Sequence, residues 1–227
     1  MRGVSYLDLL LALAPETALV VCSLAVLFVD LGLMRSAPSR RRFRMGGAVT
    51  ALGCAVALAI LGTSEVDLRF WDGVVVVDPL TQWVKLVVVV LSLFTAAISA
   101  EADFTEHVGE YYALLMLATV GMLFLVSSED ILMIFVSLEL TSLSLYVLTA
   151  LCQRERHSSE AALKYFLFGS VAAAFMLFGL SLIYGMSGAT TLGPIAASLK
   201  GQGADPLLAV AVVMVVMGLG FKVAVVP

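Results

Sequence analysis

Seven stretches of this chain are almost wholly apolar, and short polar segments separate them: Thr17 to Met34, Met45 to Thr63, Leu80 to Ala100, Tyr111 to Val126, Ile131 to Leu151, Ala161 to Gly185 and Leu207 to Val226. With 16 to 25 residues each, they match the roughly 20 residues an α-helix needs to cross hydrocarbon, so the pattern predicts seven transmembrane helices. Ser127, Ser128, Glu129 and Asp130 form a polar turn that also offers N-cap candidates for the fifth helix. Between Ser64 and Pro79, apolar residues alternate in part at Val66, Leu68 and Phe70, and the run Val74 to Val77 follows. This segment reads either as a short hairpin over the bundle or as an ordinary loop with Trp71 at the interface. Gly185 to Pro206 reads as an extramembrane loop with a few apolar anchors.

Composition sharpens the class. Only 13% of residues are charged, against about 25% in soluble domains, and 61% are hydrophobic, so no soluble fold of this length could cover the apolar surface. The expected fold is all-α, a polytopic transmembrane helix bundle of about seven spans. A net charge of -4 excludes a nucleic-acid partner, which needs a basic face. Arg2 and the apolar Leu7 to Ala14 resemble a signal peptide, but Pro15 and Glu16 lead directly into the next apolar run, so the segment reads as the start of a retained first helix. Cys22, Cys54 and Cys152 have neither metal-ligand nor disulfide spacing and read as small apolar fillers.

Charge also orients the chain. The first loop carries Arg35, Arg40, Arg41, Arg42 and Arg44 and no acid, which places it on the cytoplasmic side of an inner membrane with the N-terminus outside. Alternate counting adds Arg154 and Arg156 inside, and leaves Arg2, Arg69 and Lys200 outside. The acids Glu101, Asp103, Glu106 and Glu110 of the third-to-fourth connection would then be cytoplasmic, but acids weigh little in this rule.

Three lysines remain, and all fall within spans: Lys85, Lys164 and Lys222. A charge in hydrocarbon is costly unless it is paired, hydrated or neutralised, which makes each a functional candidate, as it does Glu139. Glu139 lies about 12 Å along the fifth helix, with Ser142 and Tyr146 at i+3 and i+7 on its face. Lys164 follows Glu160 by four residues and could reach the cytoplasmic interface along its own stem. Lys85 could extend to the outer surface or pair locally near Asp78. Lys222 lies deep in the seventh span beside Gly218, Gly220 and Pro227, where a helix can break and line an ion pathway. Acid and base buried together suggest a proton relay, because moving one partner changes the other's proton affinity.

Asp78-Pro-Leu-Thr-Gln-Trp-Val-Lys85, Glu110-Tyr-Tyr-Ala-Leu-Leu, Ser137-Leu-Glu-Leu-Thr-Ser-Leu-Ser-Leu-Tyr146, Ser158-Ser-Glu-Ala-Ala-Leu-Lys-Tyr-Phe166 and Gly218-Leu-Gly-Phe-Lys222 resemble, in order, the subunit N family of proton-translocating NADH:quinone oxidoreductases, respiratory complex I. The resemblance implies an antiporter-like fourteen-helix inverted-repeat fold with broken helices, of which this chain would supply about the first half: residues 1–110 as three helices with loops, and 111–227 as the start of the first repeat. It implies that Glu139 modulates a lysine and that Lys164 and Lys222 lie on the proton path; Lys85 receives no role. Partners would be the other membrane-arm subunits and the lipid bilayer. NADH, FMN, iron-sulfur clusters and quinone would belong to partner subunits, with no cofactor in this chain. A multi-subunit sodium/proton antiporter subunit and a purely structural membrane-arm subunit are the alternatives.

Overall fold

The computed structural model describes residues 10–35, 37–63, 68–152, 155–201 and 205–225. Arg2, Leu7, Ser64, Val66, Arg154, Val226 and Pro227, which enter the sequence reading, lie outside them. The chain runs α1 (Ala14–Phe28), α2 (Ser39–Thr63), a β-hairpin of β1 (Leu68–Phe70) and β2 (Val75–Val77), then α3 (Pro79–Ser99), α4 (Val108–Val126), α5 (Ile131–Thr149), α6 (Arg156–Ser187), the short α7 (Leu192–Ser198) and α8 (Pro206–Lys222). Among the described residues, α2 to α6, and α1 with the π-turn Val29–Leu33 that continues it, are long and apolar enough to cross a membrane; α8 is apolar but only 17 residues long.

Helix starts follow the local chemistry. Asp78 and Thr81 form a capping box on α3, with Thr81 N donating to Asp78 Oδ1 at 2.7 Å and Asp78 N to Thr81 Oγ1 at 2.9 Å. Asp130 caps α5 by accepting from the amides of Leu132 and Met133, as the polar turn predicts, and Asp205 caps α8. Gly188, at φ +68°, closes α6 in a left-handed turn that a Cβ would strain.

Two differences from the sequence reading have clear causes. Arg40 to Arg44 belong to the first turns of α2, not to a loop, because arginine is a good helix former and a snorkelling side chain lets the helix outrun its apolar part. Likewise α6 starts at Arg156, ahead of its apolar run, and the Gly185 to Pro206 connection is structured by the end of α6 and by α7.

Helices α1 to α4 pack around Leu19, Cys54, Ala57, Val89, Met116 and Val120. Helix α5 joins this group through α4, where a Cβ on Gly121 would meet Thr141 Oγ1 at 2.4 Å. Helices α6 and α8 lie closest: Cβ atoms at Gly179 and Gly218 would stand 2.7 Å from Ala211 O and 2.4 Å from Met176 Cβ. Small residues that admit a neighbouring backbone are the usual means of tight helix packing in lipid. Gly218 therefore serves packing.

The segment Ser64 to Pro79 does contain a hairpin, with Leu68 paired to Val77 and Phe70 to Val75. Phe70, Val75 and Val77 bury against Ala12 and Leu13, and the hairpin is bonded to the α4–α5 turn: Val76 N donates to Ser127 O at 2.7 Å and Glu129 N to Gly73 O at 2.8 Å. The same turn holds the segment before α7, since Leu192 N donates to Glu129 O at 3.0 Å and Ile131 N to Thr190 O at 2.8 Å. One end of the bundle is thus strapped by backbone hydrogen bonds. The other carries the arginines.

Candidate functional site

Glu139, Ser142 and Tyr146 recur at i, i+3 and i+7 on α5, so their side chains stack on one face of that helix. A helical side chain leans toward its own N-terminus, which carries the Lys222 ammonium back from the end of α8 toward this stripe. The Nζ donates to Glu139 Oε1 at 2.9 Å, Ser142 Oγ at 2.5 Å and Tyr146 Oη at 3.4 Å. All three N–H bonds of the ammonium have acceptors. The lysine and glutamate side chains are 10% and 21% exposed, so this is a largely desolvated ion pair bedded in hydroxyls.

Tyr146 is fixed from the other side. Its ring meets Tyr165 edge-on at 4.6 Å and Phe166 at 5.9 Å, both on α6, and lies 5.8 Å from Lys222 Nζ. Just past Lys222 the helix gives way to a turn, where Ala224 takes φ +55°. That turn is closed by backbone hydrogen bonds, Val223 N donating to Leu219 O at 3.1 Å and Val225 N to Gly220 O at 2.9 Å.

Lys164 is placed elsewhere. It donates to Glu160 Oε1 at 2.5 Å one turn earlier on α6, both side chains are more than half exposed, and among the described residues no hydrogen bond or ion pair joins it to Glu139 or Lys222. The i,i+4 spacing and the long stem account for this, in line with a lysine that extends along its own stem.

Lys85 also departs from expectation. It neither reaches the surface nor pairs near Asp78; its Nζ donates to Glu16 Oε1 on α1 at 2.6 Å, and both residues are 1% exposed. The sequence alone offers Glu16 only as the start of a helix. The pairing of two charges 69 positions apart has no local signature. Another buried acid, Asp30 in the π-turn, accepts from Arg42 through both guanidinium arms, Nε at 2.7 Å among them, and from Gly109 N at 2.9 Å. Among the described residues no group of three or more His, Cys, Asp or Glu side chains is placed to hold a metal ion.

Membrane-length helices around a lysine–carboxylate pair define a polytopic membrane protein with a charge pair inside its bundle. Residues 128–227 match the family model described as the NADH:quinone oxidoreductase/Mrp antiporter transmembrane family. The whole chain is 42% identical to 47% of NADH-quinone oxidoreductase subunit N 2 of Acidobacterium capsulatum, and 95% of it is 33% identical to 45% of F(420)H(2) dehydrogenase subunit N of Methanosarcina mazei. In structure, 92% of the chain superposes with TM-score 0.72 and 34% identity on 44% of a chain of respiratory complex I from Thermus thermophilus. The chain belongs to the subunit N family of the NADH-quinone oxidoreductases. It spans about half the length of the curated relatives it matches.

Proposed function

We propose that this chain forms part of a membrane-arm subunit that translocates protons, and that Glu139 and Lys222 are the pair that holds and releases them. The supporting observation is the saturated ammonium: each N–H of Lys222 has an acceptor, and the one charged acceptor is a carboxylate within 3 Å. Glu139 and the ammonium attract one another across 2.9 Å. Drawing the pair apart removes that attraction, the Nζ–H bond breaks, and the proton passes to water. Return of the carboxylate favours reprotonation.

The remaining assignments follow from the same reading. Residues 1–110 form a scaffold of three helices and 111–227 the start of an antiporter-like repeat. The arginine end faces the cytoplasm of a bacterial inner membrane. Lys164 and Glu160, exposed toward that end of α6, act as a surface relay on the route. The partners are other membrane-arm subunits, and NADH, FMN, iron-sulfur clusters and quinone reside in subunits other than this one. The match to an F(420)H(2) dehydrogenase subunit supports a role that does not fix the electron donor. The antiporter reading has one observation in its favour, the family model's description, which spans both classes.

The test replaces Lys222 in the full-length protein, within its complex, in reconstituted vesicles of verified subunit content. Lys222→Ala is expected to lose much of the pumping per electron. Lys222→Arg keeps the charge but does not give up its proton and is expected not to restore it. Normal pumping by the arginine variant would rule out proton exchange at this position.

A further inference from the structure

An apolar groove runs along the outer seam of α1 and α2, and the proton exchange proposed above does not use it. It measures about 530 Å³ and is lined chiefly by Ala14, Ala18, Val21 and Ala25 on one side and by Leu52 and Val56 on the other. Gly53 sets its floor, where a Cβ would stand 2.3 Å from Cys22 Sγ, and the short alanine side chains leave the seam unfilled above that contact. Val21, Leu52 and Val56 are exposed, so the groove opens away from the bundle. From Ala14 to Ala25 the wall rises 11 residues, about 16 Å at 1.5 Å per residue, and 530 Å³ over that length is a channel about 6 Å across. A helix with its side chains is about 10–12 Å wide and would rest on the rim. A single hydrocarbon chain fits inside.

At the arginine end the groove runs into positive charge. Arg41, Met45 and Val49 follow one another at i+4 along α2, and Val49 lines the groove, so Arg41 stands about 12 Å beyond it on the same row. Arg35 lies in the turn that joins the two helices there. Arg35, Arg40, Arg41 and Arg44 are exposed, and none has an ion pair with an acid among the described residues, whereas Arg42 is taken by Asp30. The acidic connection after α3 meets α2 on its other side: Asp103 accepts from Ser39, which is two residues from Arg41 and therefore on the opposite face. The positive-inside rule accounts for arginines at this end, but not for an apolar groove that ends on them.

We propose that this groove binds an anionic phospholipid, with one acyl chain lying between α1 and α2 and the phosphate resting against Arg35 and Arg41 at its end. The charge selects the lipid: a guanidinium fork matches phosphate oxygens, and a zwitterionic headgroup offsets that attraction with its own cation. The groove selects the place, because a chain seated there fills a seam that the α1 alanines leave open, and an unfilled seam forfeits the dispersion contacts of its lining. The site is independent of the proton exchange proposed for Lys222.

The test places the purified complex containing the full-length subunit in phosphatidylcholine vesicles with a small share of phosphatidylglycerol that carries a photoreactive diazirine in one acyl chain. After illumination, peptide mass spectrometry reads which residues are labelled. Label on the groove walls, Val21 and Val56 among them, is expected several-fold above that from the same diazirine chain on phosphatidylcholine. Arg35→Gln/Arg41→Gln is expected to lower the labelling by roughly five-fold per arginine, and Ala18→Phe to abolish it by filling the groove. In the unsubstituted complex, excess plain phosphatidylglycerol should displace the label where plain phosphatidylcholine does not, which tests the site even if a variant fails to assemble. Equal labelling by the two lipids, or competition by both alike, would show ordinary solvation by the bilayer and overturn the proposal. No label from either lipid would show that a helix of another subunit covers the seam, and would overturn it as well.

Discussion

Gly169 on α6 is the ground on which the Tyr146 hydroxyl stands: a Cβ at position 169 would lie 2.0 Å from that oxygen and 2.5 Å from the ring carbon that bears it. The tyrosine that helps hold Lys222 is thus placed by an absent side chain on a third helix. Gly169→Ala is expected to displace Tyr146 and to cost about 1–3 kcal/mol, as overpacking does. Adding Tyr146→Ala should restore assembly without restoring pumping. Subunit retention on mild heating and pumping per electron, measured side by side, separate the two effects.

At the hairpin end, two residues that touch Glu129 should differ sharply. Gly73 has φ +107°, and a Cβ there would lie 3.3 Å from the Glu129 side chain, so Gly73→Ala is strained whatever the space and is expected to cost roughly 1–3 kcal/mol. Arg69 makes an exposed ion pair with Glu129 at 3.2 Å, and Arg69→Ala should cost about 0–1 kcal/mol. Heat resistance of the purified complex checks the order. Equal losses would mean that the ion pair, not the backbone strap, holds this end.

Asp30 links three elements at the arginine end, accepting from Arg42 on α2 and from Gly109 N at the start of α4. Asp30→Ala leaves a mostly buried guanidinium without its partner and is expected to cost about 3–5 kcal/mol, enough to reduce the subunit found in membranes. Removing both charges, as in Asp30→Ala/Arg42→Leu, should recover much of that loss. Quantifying the subunit by immunoblot in the single and double variants tests the coupling.

The Lys222 site was legible in large part because its acceptors share one helix. Glu139, Ser142 and Tyr146 interrupt an apolar run at helical spacing, and a polar stripe in such a run shows in one dimension. Asp130 as the cap of α5 was legible for a similar local reason. The pairs Glu16–Lys85 and Asp30–Arg42 were not, because each joins different helices and each residue has an ordinary local explanation: a first-turn acid, a snorkelling lysine, one arginine of a cluster. Lys164 was the converse case. Its position within an apolar run made it a candidate, while the i,i+4 spacing from Glu160 already offered the exposed pairing that the fold shows.

Glu139 supplies the one charged acceptor of Lys222, and the contacts rank what its neighbours should do. In Glu139→Gln the shape is kept, and Ser142 and Tyr146 still hold the amine, so assembly should be largely intact. What is lost is the negative charge that attracts the ammonium. Pumping per electron is therefore expected to fall more in Glu139→Gln than in Ser142→Ala, which forfeits a neutral-acceptor bond to an ammonium worth about 1.5–3 kcal/mol. Tyr146→Phe should fall least, because its oxygen is the most distant acceptor at 3.4 Å. Reconstituted vesicles with matched subunit content give the three values. If Glu139→Gln pumps normally while Ser142→Ala does not, the lysine needs only a hydrogen-bonded seat, and the exchange of a proton against a mobile carboxylate has to be abandoned.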